Sequence, residues 1–287
     1  MDWARDGQDW PNRAHSRFVR HRPHRWHIQD AGSGLVVLLL HGTGAATHSW
    51  RDVFPILARR YRVVALDLPG QGFTQLGARQ RCGLDRMSQD IAALMAGEGL
   101  QPAAVVGHSA GAALGMRLLR DLTQPPHALV GINAALENFK GMAGLLFPMM
   151  ARMMAINPFS ASEISRWLGN ATGVESIIGG TGSRLSPEGL ALYRTLVADR
   201  HHTDATLAMI SQWDLDGLQA DLPRIDTPTL LLVGDMDRAV PPATSVRAAE
   251  RMPDAHVEHF PDLGHLAHEE APEAVSARIL AFLDARL

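Results

Sequence analysis

The sequence predicts an α/β protein organised on a largely parallel sheet, and three observations predict it. Continuous apolar runs of strand length recur along the chain, among them Leu35–Leu40, Ala103–Val106 and Leu230–Val233; strands covered on both faces read this way. Segments with helical spacing alternate with such runs from about residue 35 to 133, and alternation resumes at Pro228. That is the layout of strands joined by crossover helices. Finally, Gly107-His108-Ser109-Ala110-Gly111 separates one apolar run from a helix-like stretch, Ala112–Leu122. A serine therefore stands at the tip of a strand-to-helix turn, the context of a nucleophile elbow.

The totals fit this class. A chain of 287 residues with 46% apolar residues can bury the core of one large domain carrying an insertion. A net charge of −3 gives no global argument for nucleic acid or an anionic membrane as partner. The single cysteine, Cys82, cannot form an internal disulfide, which fits a reducing cytoplasm. The first six residues are polar and mixed in charge, unlike a signal peptide. No run reaches the length of a transmembrane helix.

Taken in order, the chain opens on an unusual segment, residues 1–30. Five arginines and four histidines lie between Arg13 and His27 without an acid. Arg17–Arg20 and Arg25–Gln29 can pair across a turn near Pro23, as a solvated edge hairpin or as a basic patch for an acidic ligand or partner. His24 and His27 alone make a weak metal site, and no metal is expected. Leu35–Leu40 is the next strand. His41-Gly42-Thr43-Gly44 follows it, then a helix-like stretch, Arg51–Arg60, and a strand, Tyr61–Leu66. That strand ends in the turn-rich loop Asp67-Leu68-Pro69-Gly70-Gln71-Gly72. A helix over Met87–Gly97, the elbow and a strand, Ala128–Ile132, come next. Residues 134–219 are helical in character and break the alternation. Within them Met142–Ile156 holds five methionines, two leucines and one phenylalanine, with Arg152 as its one charge. Strands at Pro228–Gly234 and His256–Phe260 and a helix over Pro272–Leu287 close the chain.

A serine hydroxyl needs a histidine base, and the histidine needs a carboxylate to orient it and stabilise its cation. Downstream strand ends supply both. Asp237 follows the strand Leu230–Val233, and His265 follows the strand His256–Phe260. The order Ser109, Asp237, His265 is that of a triad on this scaffold. Asp235, two residues before Asp237, is the competing acid, and His268 the competing base. Oxyanion donors are assigned to the N–H groups of Ala110 and Thr43. The Thr43 hydroxyl either joins them or caps its loop. His41 and His108 adjoin the site as bracing residues rather than bases. With Gly42, Met149 and Met153 they make the candidate substrate-binding set.

Together, His41-Gly42, the Asp67–Gly72 loop, Gly107–Gly111, Asp237-Arg238-Ala239-Val240-Pro241 and Gly264-His265 resemble the α/β-hydrolase superfamily, over roughly residues 30–287. The resemblance implies a mostly parallel eight-stranded sheet, helices on both faces and a helical cap between the sixth and seventh strands. It divides the chain into an N-terminal segment and edge hairpin (1–30), a core domain (31–133 and 220–287) and a cap (134–219). A serine nucleophile disfavours the aspartate-based dehalogenase and epoxide hydrolase branches. Asp9-Trp10-Pro11-Asn12-Arg13, Ser16-Arg17-Phe18-Val19, Arg25-Trp26-His27 and His41–Trp50 resemble more narrowly the magnesium-chelatase accessory proteins of bacteriochlorophyll biosynthesis. The basic tip His21-Arg22-Pro23-His24 keeps a ligand role for that segment open. This second resemblance implies action at or near magnesium insertion into protoporphyrin IX in a photosynthetic bacterium.

Two functions follow as expectations. One is a serine hydrolase acting on an apolar, ester-like substrate through an acyl-serine intermediate, without a cofactor. The other is a non-catalytic module that binds a porphyrin or magnesium-chelatase subunits on a hydrolase scaffold. The methionine-rich stretch suits a tetrapyrrole, an acyl chain, simple packing of the cap or a membrane surface. The place expected for the protein is the cytoplasm, with a peripheral position at the photosynthetic membrane as the alternative.

Overall fold

A computed structural model describes residues 1–138, 162, 163, 165 and 171–287. One eight-stranded sheet runs through it in the order β1-β2-β4-β3-β5-β6-β7-β8. The strands are β1 (Ser16–His21), β2 (His24–Ala31), β3 (Val36–Leu40), β4 (Arg62–Leu66), β5 (Pro102–His108), β6 (Ala128–Ile132), β7 (Thr229–Gly234) and β8 (Ala255–Phe260). β1 and β2 pair antiparallel, as do β2 and β4; every other pairing is parallel.

The apolar runs become central strands because both faces of the sheet are covered. Alternate residues feed separate cores. Leu38, Leu40, Val64, Leu66 and Val105 pack into one. Val37, Leu39, Val63, Ala65 and Val106 pack into the other. The helices are α1 (Trp3–Asp6), α2 (Val53–Leu57), α3 (Leu84–Gly97), α4 (Ala110–Leu118), α5 (Ala171–Gly180), α6 (Pro187–Ala198), α7 (Arg200–Gln212), α8 (Asp216–Asp221), α9 (Ala243–Ala249), α10 (Ala267–Glu270) and α11 (Pro272–Asp284). Helices α5 to α8 stand between β6 and β7 in the chain. Asp199 caps α7, its carboxylate accepting from the N–H groups of His201 and His202 at 3.0 and 2.9 Å. Met142, Met149, Met150, Met153 and Met154, with Leu145, Leu146, Phe147 and Arg152, lie outside the described residues.

Two expectations need correction. The hairpin forms, with Arg20 opposite Arg25, but of its two strands β1 alone lies at an edge of the sheet. β2 is paired on both sides, and His24, Trp26, His27, Ile28 and Gln29 are buried. Its polar residues are tolerated because they are bonded: His24 to Asp90 at 3.2 Å and His27 to Asp67 at 2.7 Å. The helix read over Arg51–Arg60 is a single turn, α2, preceded by a 3₁₀ turn at Thr47–Trp50. Pro55 accounts for the late start, since its ring clashes with a helical carbonyl four residues earlier.

The parallel order of β5 to β8 decides where chemistry can gather. Gly107 lies opposite Gly131, and His108 opposite Ile132. Gly234 lies opposite Phe260. The loops after these four strands therefore open at one end of the sheet, where ligands bind in open α/β folds.

Candidate active site

Ser109 joins β5 to α4 with φ 53° and ψ −117°, a conformation that side-chain-bearing residues seldom adopt. The surrounding backbone holds it there. Ser109 N–H donates to Ile132 O at 2.9 Å, and Ser109 O accepts from Ala112 and Ala135 N–H at 3.1 Å each. The flanking glycines are required by space. A Cβ at Gly107 would lie 2.3 Å from Gly111 O, and one at Gly111 would lie 2.1 Å from Leu40 O.

Asp237 and His265 meet at this end of the sheet. His265 Nδ1–H donates to Asp237 Oδ2 at 2.7 Å. The other carboxylate oxygen, Oδ1, accepts from Ala239 and Val240 N–H at 2.8 Å each. The carboxylate is thus fully engaged and aimed, which fixes the histidine tautomer with Nε2 as its basic nitrogen. Asp235 instead bonds His259 at an exposed position, 2.6 Å away. His268 is buried and bonds Ser49 Oγ at 2.9 Å. Among the described residues no hydrogen bond joins Ser109 Oγ to His265 Nε2.

The neighbouring histidines serve as walls and braces. His41 Nδ1–H donates to Gly42 O at 2.8 Å, and its Nε2 accepts from Leu68 N–H at 2.9 Å. Burial lowers its pKa. His108 Nε2–H donates to His265 O at 2.8 Å, and its ring packs against those of His265 and His268. Burial, reinforced by these neighbours, pushes the His108 pKa well down. Both rings are buried, so they shape the site from behind. Gly42 lies between them, with room for no Cβ: one would sit 2.8 Å from His108 Nδ1.

Thr43 is exposed, and its hydroxyl donates weakly to Met209 Sδ at 3.7 Å. The N–H groups of Thr43 and Ala110 have no acceptor among the described residues. Gln71 and His202 anchor the Thr43 loop, residues that sequence reasoning passed over. Gly44 N–H donates to Gln71 Oε1 at 2.8 Å, and His202 Nε2–H donates to Gly44 O at 3.1 Å. Asp67 supports the same region from below, accepting from Thr47 and Phe73 N–H at 2.7 and 2.8 Å. Burial alone would raise its carboxyl, but His27, His41 and the Phe73 N–H bring it down to about 2.

Behind His268 lies a second polar cluster. Glu269 is buried against Arg51 and accepts from Ser49 Oγ and Tyr193 Oη at 2.6 Å each. Burial raises its pKa against the pull of Arg51 and these donors. Three further residues, Asn133, Ser183 and Glu270, hold the histidine loop. Asn133 Nδ2 bonds Gly264 O and His265 O, Ser183 Oγ accepts from Leu266 N–H, and Glu270 Oε1 accepts from Gly264 N–H. The one signal for Asn133 in the sequence is an asparagine directly after a strand, a place suited to positive φ.

Comparison with known proteins places this fold. The family model of the alpha/beta hydrolase fold matches residues 36–272. The chain is 42% identical over 278 residues to the magnesium-chelatase 30 kDa subunit of Rhodobacter capsulatus, covering 96% of this chain and 97% of that protein. It is 27% identical over 281 residues to 2-hydroxy-6-oxo-6-phenylhexa-2,4-dienoate hydrolase of Burkholderia cepacia, covering 90% and 91%. The solved structure of the epoxide hydrolase CorEH superposes with a TM-score of 0.79 at 20% identity, over 94% of this chain and 98% of that one, a likeness of fold. An eight-stranded sheet ending in a strained serine turn, a family model spanning most of the chain and a full-length relative at this identity lead to one statement: the chain belongs to the α/β-hydrolase family.

Proposed function

We propose that the protein is a serine hydrolase for an apolar, ester-like substrate, working with the triad Ser109, His265 and Asp237. The observation that carries the reading is the His265 Nδ1–Asp237 Oδ2 bond of 2.7 Å at the strand ends that bear the strained Ser109. Ser109 Oγ attacks the substrate carbonyl as His265 Nε2 takes its proton. The N–H groups of Ala110 and Thr43 hold the oxyanion. Collapse expels the alcohol, which receives the proton from His265, and leaves an acyl-serine ester. Water, deprotonated by His265, then attacks this ester; collapse breaks the acyl–Oγ bond, His265 returns the proton to Ser109 Oγ, and the acid is released. Asp237 orients His265 and stabilises the imidazolium in both halves. The Ser109–His265 hydrogen bond forms when substrate binds; such bonds are often long in free enzymes.

Residues 134–219 serve in this reading as a cap, and Met149 and Met153, with Gly42, His41 and His108, as the substrate-binding set, the two histidines acting from behind as bracing rings. The likeness to the Rhodobacter magnesium-chelatase subunit supports a place at or near magnesium insertion into protoporphyrin IX; the reading puts the protein in the cytoplasm, with a peripheral position at the photosynthetic membrane as the alternative. The same likeness favours a second reading, in which the scaffold binds a porphyrin or chelatase subunits without turnover.

Fluorophosphonate labelling read by intact mass separates the two. A single adduct on the wild type, absent from Ser109→Ala, is the expected result. A folded wild type that takes no adduct rejects the hydrolase reading, and saturable binding of porphyrin or chelatase subunits then tests the second.

A further inference from the structure

One side chain joins the two loops that carry the proposed acid and base, and the backbone on either side of it holds the proposed nucleophile. Asn133 follows β6, is 2% exposed and has φ 45°. Its Oδ1 accepts from Gly234 N–H at 2.7 Å, at the start of the loop that bears Asp237. Its Nδ2 donates to Gly264 O at 2.9 Å and to His265 O at 2.7 Å. Its own N–H donates to Leu232 O at 2.8 Å. The residues on either side hold the nucleophile: Ile132 O accepts from Ser109 N–H, and Ala135 N–H donates to Ser109 O.

The chemistry of the position selects asparagine. The site offers one buried donor and two buried acceptors, which calls for one acceptor and two donors on a short planar group. The amide orientation is dictated by these partners, since Gly234 N–H can meet only oxygen and the carbonyls only N–H. Aspartate would set its second oxygen against two carbonyls. An apolar residue would leave Gly234 N–H and Gly264 O unpaired and His265 O with His108 alone. Asparagine also tolerates the left-handed backbone better than other residues with side chains.

We infer that Asn133 is a positioning residue that fixes the nucleophile, acid and histidine loops relative to one another. The inference rests on the serine-hydrolase reading for its catalytic consequence, but its geometric content stands on the three side-chain bonds and on the backbone bonds of Ile132 and Ala135 to Ser109. His108 supplies a second donor to His265 O, so the loss of Asn133 loosens the histidine loop without freeing it.

The test uses the full chain with Asn133→Gly, which suits the positive φ and removes the amide, and the isosteric Asn133→Asp, which keeps the acceptor and removes the donors. The first readout is the far-downfield proton resonance of His265 Nδ1–H, identified by its loss in His265→Gln. The second is the second-order rate of fluorophosphonate labelling, measured well below the unfolding midpoint. Both variants are expected to lose or broaden the resonance and to label about 100-fold more slowly, the scale of a misplacement near 1 Å. Variants that melt lower yet keep the wild-type resonance and rate would show a merely structural role and overturn the inference. So would a wild type without the resonance. A wild type that shows the resonance but never labels sinks the hydrolase reading alone, and the resonance in the variants then decides the role of Asn133. Should Asn133→Gly not fold, Asn133→Asp carries both readouts.

Discussion

At the scale of single residues, the two aspartates after β7 make the sharpest contrast. Asp237 is buried, and its oxygens receive one histidine and two backbone N–H groups. Asp235 meets His259 in solvent, where such a pair contributes little. Asp237→Asn should lower the fluorophosphonate labelling rate by about 10⁴-fold, because an amide favours the wrong histidine tautomer. Asp235→Asn should leave it unchanged. Equal effects of the two substitutions would remove Asp237 from the acid's role. Sequence spacing could bring Ser109, Asp237 and His265 forward because each follows a recognisable strand within a short motif. It could not bring Asn133 forward. The partners of that residue lie 101 to 132 positions away in the chain and meet only through strand order. His27 and Asp67 escaped for the same reason: an arginine- and histidine-rich segment reads as solvated until its carboxylates are seen to arrive from β4 and α3.

At the scale of elements, the continuous apolar strands were legible because burial on both faces leaves no ambiguity of period. The turn Thr181–Arg184 between α5 and α6 was not, since threonine, glycine and serine read only as a loop. In the structure it straps the segment proposed as a cap to both loops of the proposed acid and base. Thr181 O accepts from Arg238 N–H at 3.0 Å, and Ser183 Oγ from Leu266 N–H at 2.7 Å. Arg184 N–H reaches Glu270, which also holds Gly264 N–H. Gly182, with φ +87°, leaves no space for a side chain: a Cβ there would sit 2.0 Å from Met236 O. Ser183→Ala leaves the Leu266 N–H buried without its acceptor and should cost about 1–3 kcal/mol. Urea unfolding measures this, and an unchanged midpoint would show that the strap does not hold the histidine loop. Gly182→Ala should slow labelling as well, because the displaced atom belongs to the Met236–Arg238 turn itself.

At the scale of the whole molecule, burial of neutral histidines sets the response to acid. His41, His48, His108, His202 and His268 are all buried, and burial lowers the pKa of each. His202 falls to about 4 and His268 to about 3. An unfolded chain protonates these rings below the ordinary histidine value of about 6.5, whereas the folded chain does not until far lower pH. Their contribution is therefore complete above that value and is lost as pH falls toward the folded pKa values. At pH 5, His202 and His268 forfeit about 2 kcal/mol each, from roughly 1.5 pKa units at 1.36 kcal/mol per unit. His41, His48 and His108 act in the same direction. Glu269, raised by burial, takes up its proton early and opposes them, one group against five. Against a typical stability of about 5–15 kcal/mol, this loss is large. Unfolding free energy from urea titrations should drop by about 4 kcal/mol or more between pH 7 and pH 5. His202→Gln or His268→Gln should flatten that slope even where it lowers stability at pH 7. A stability profile level across this window would mean that the rings gain partners or water on protonation, and that the histidines behind the proposed triad are not held neutral by the fold.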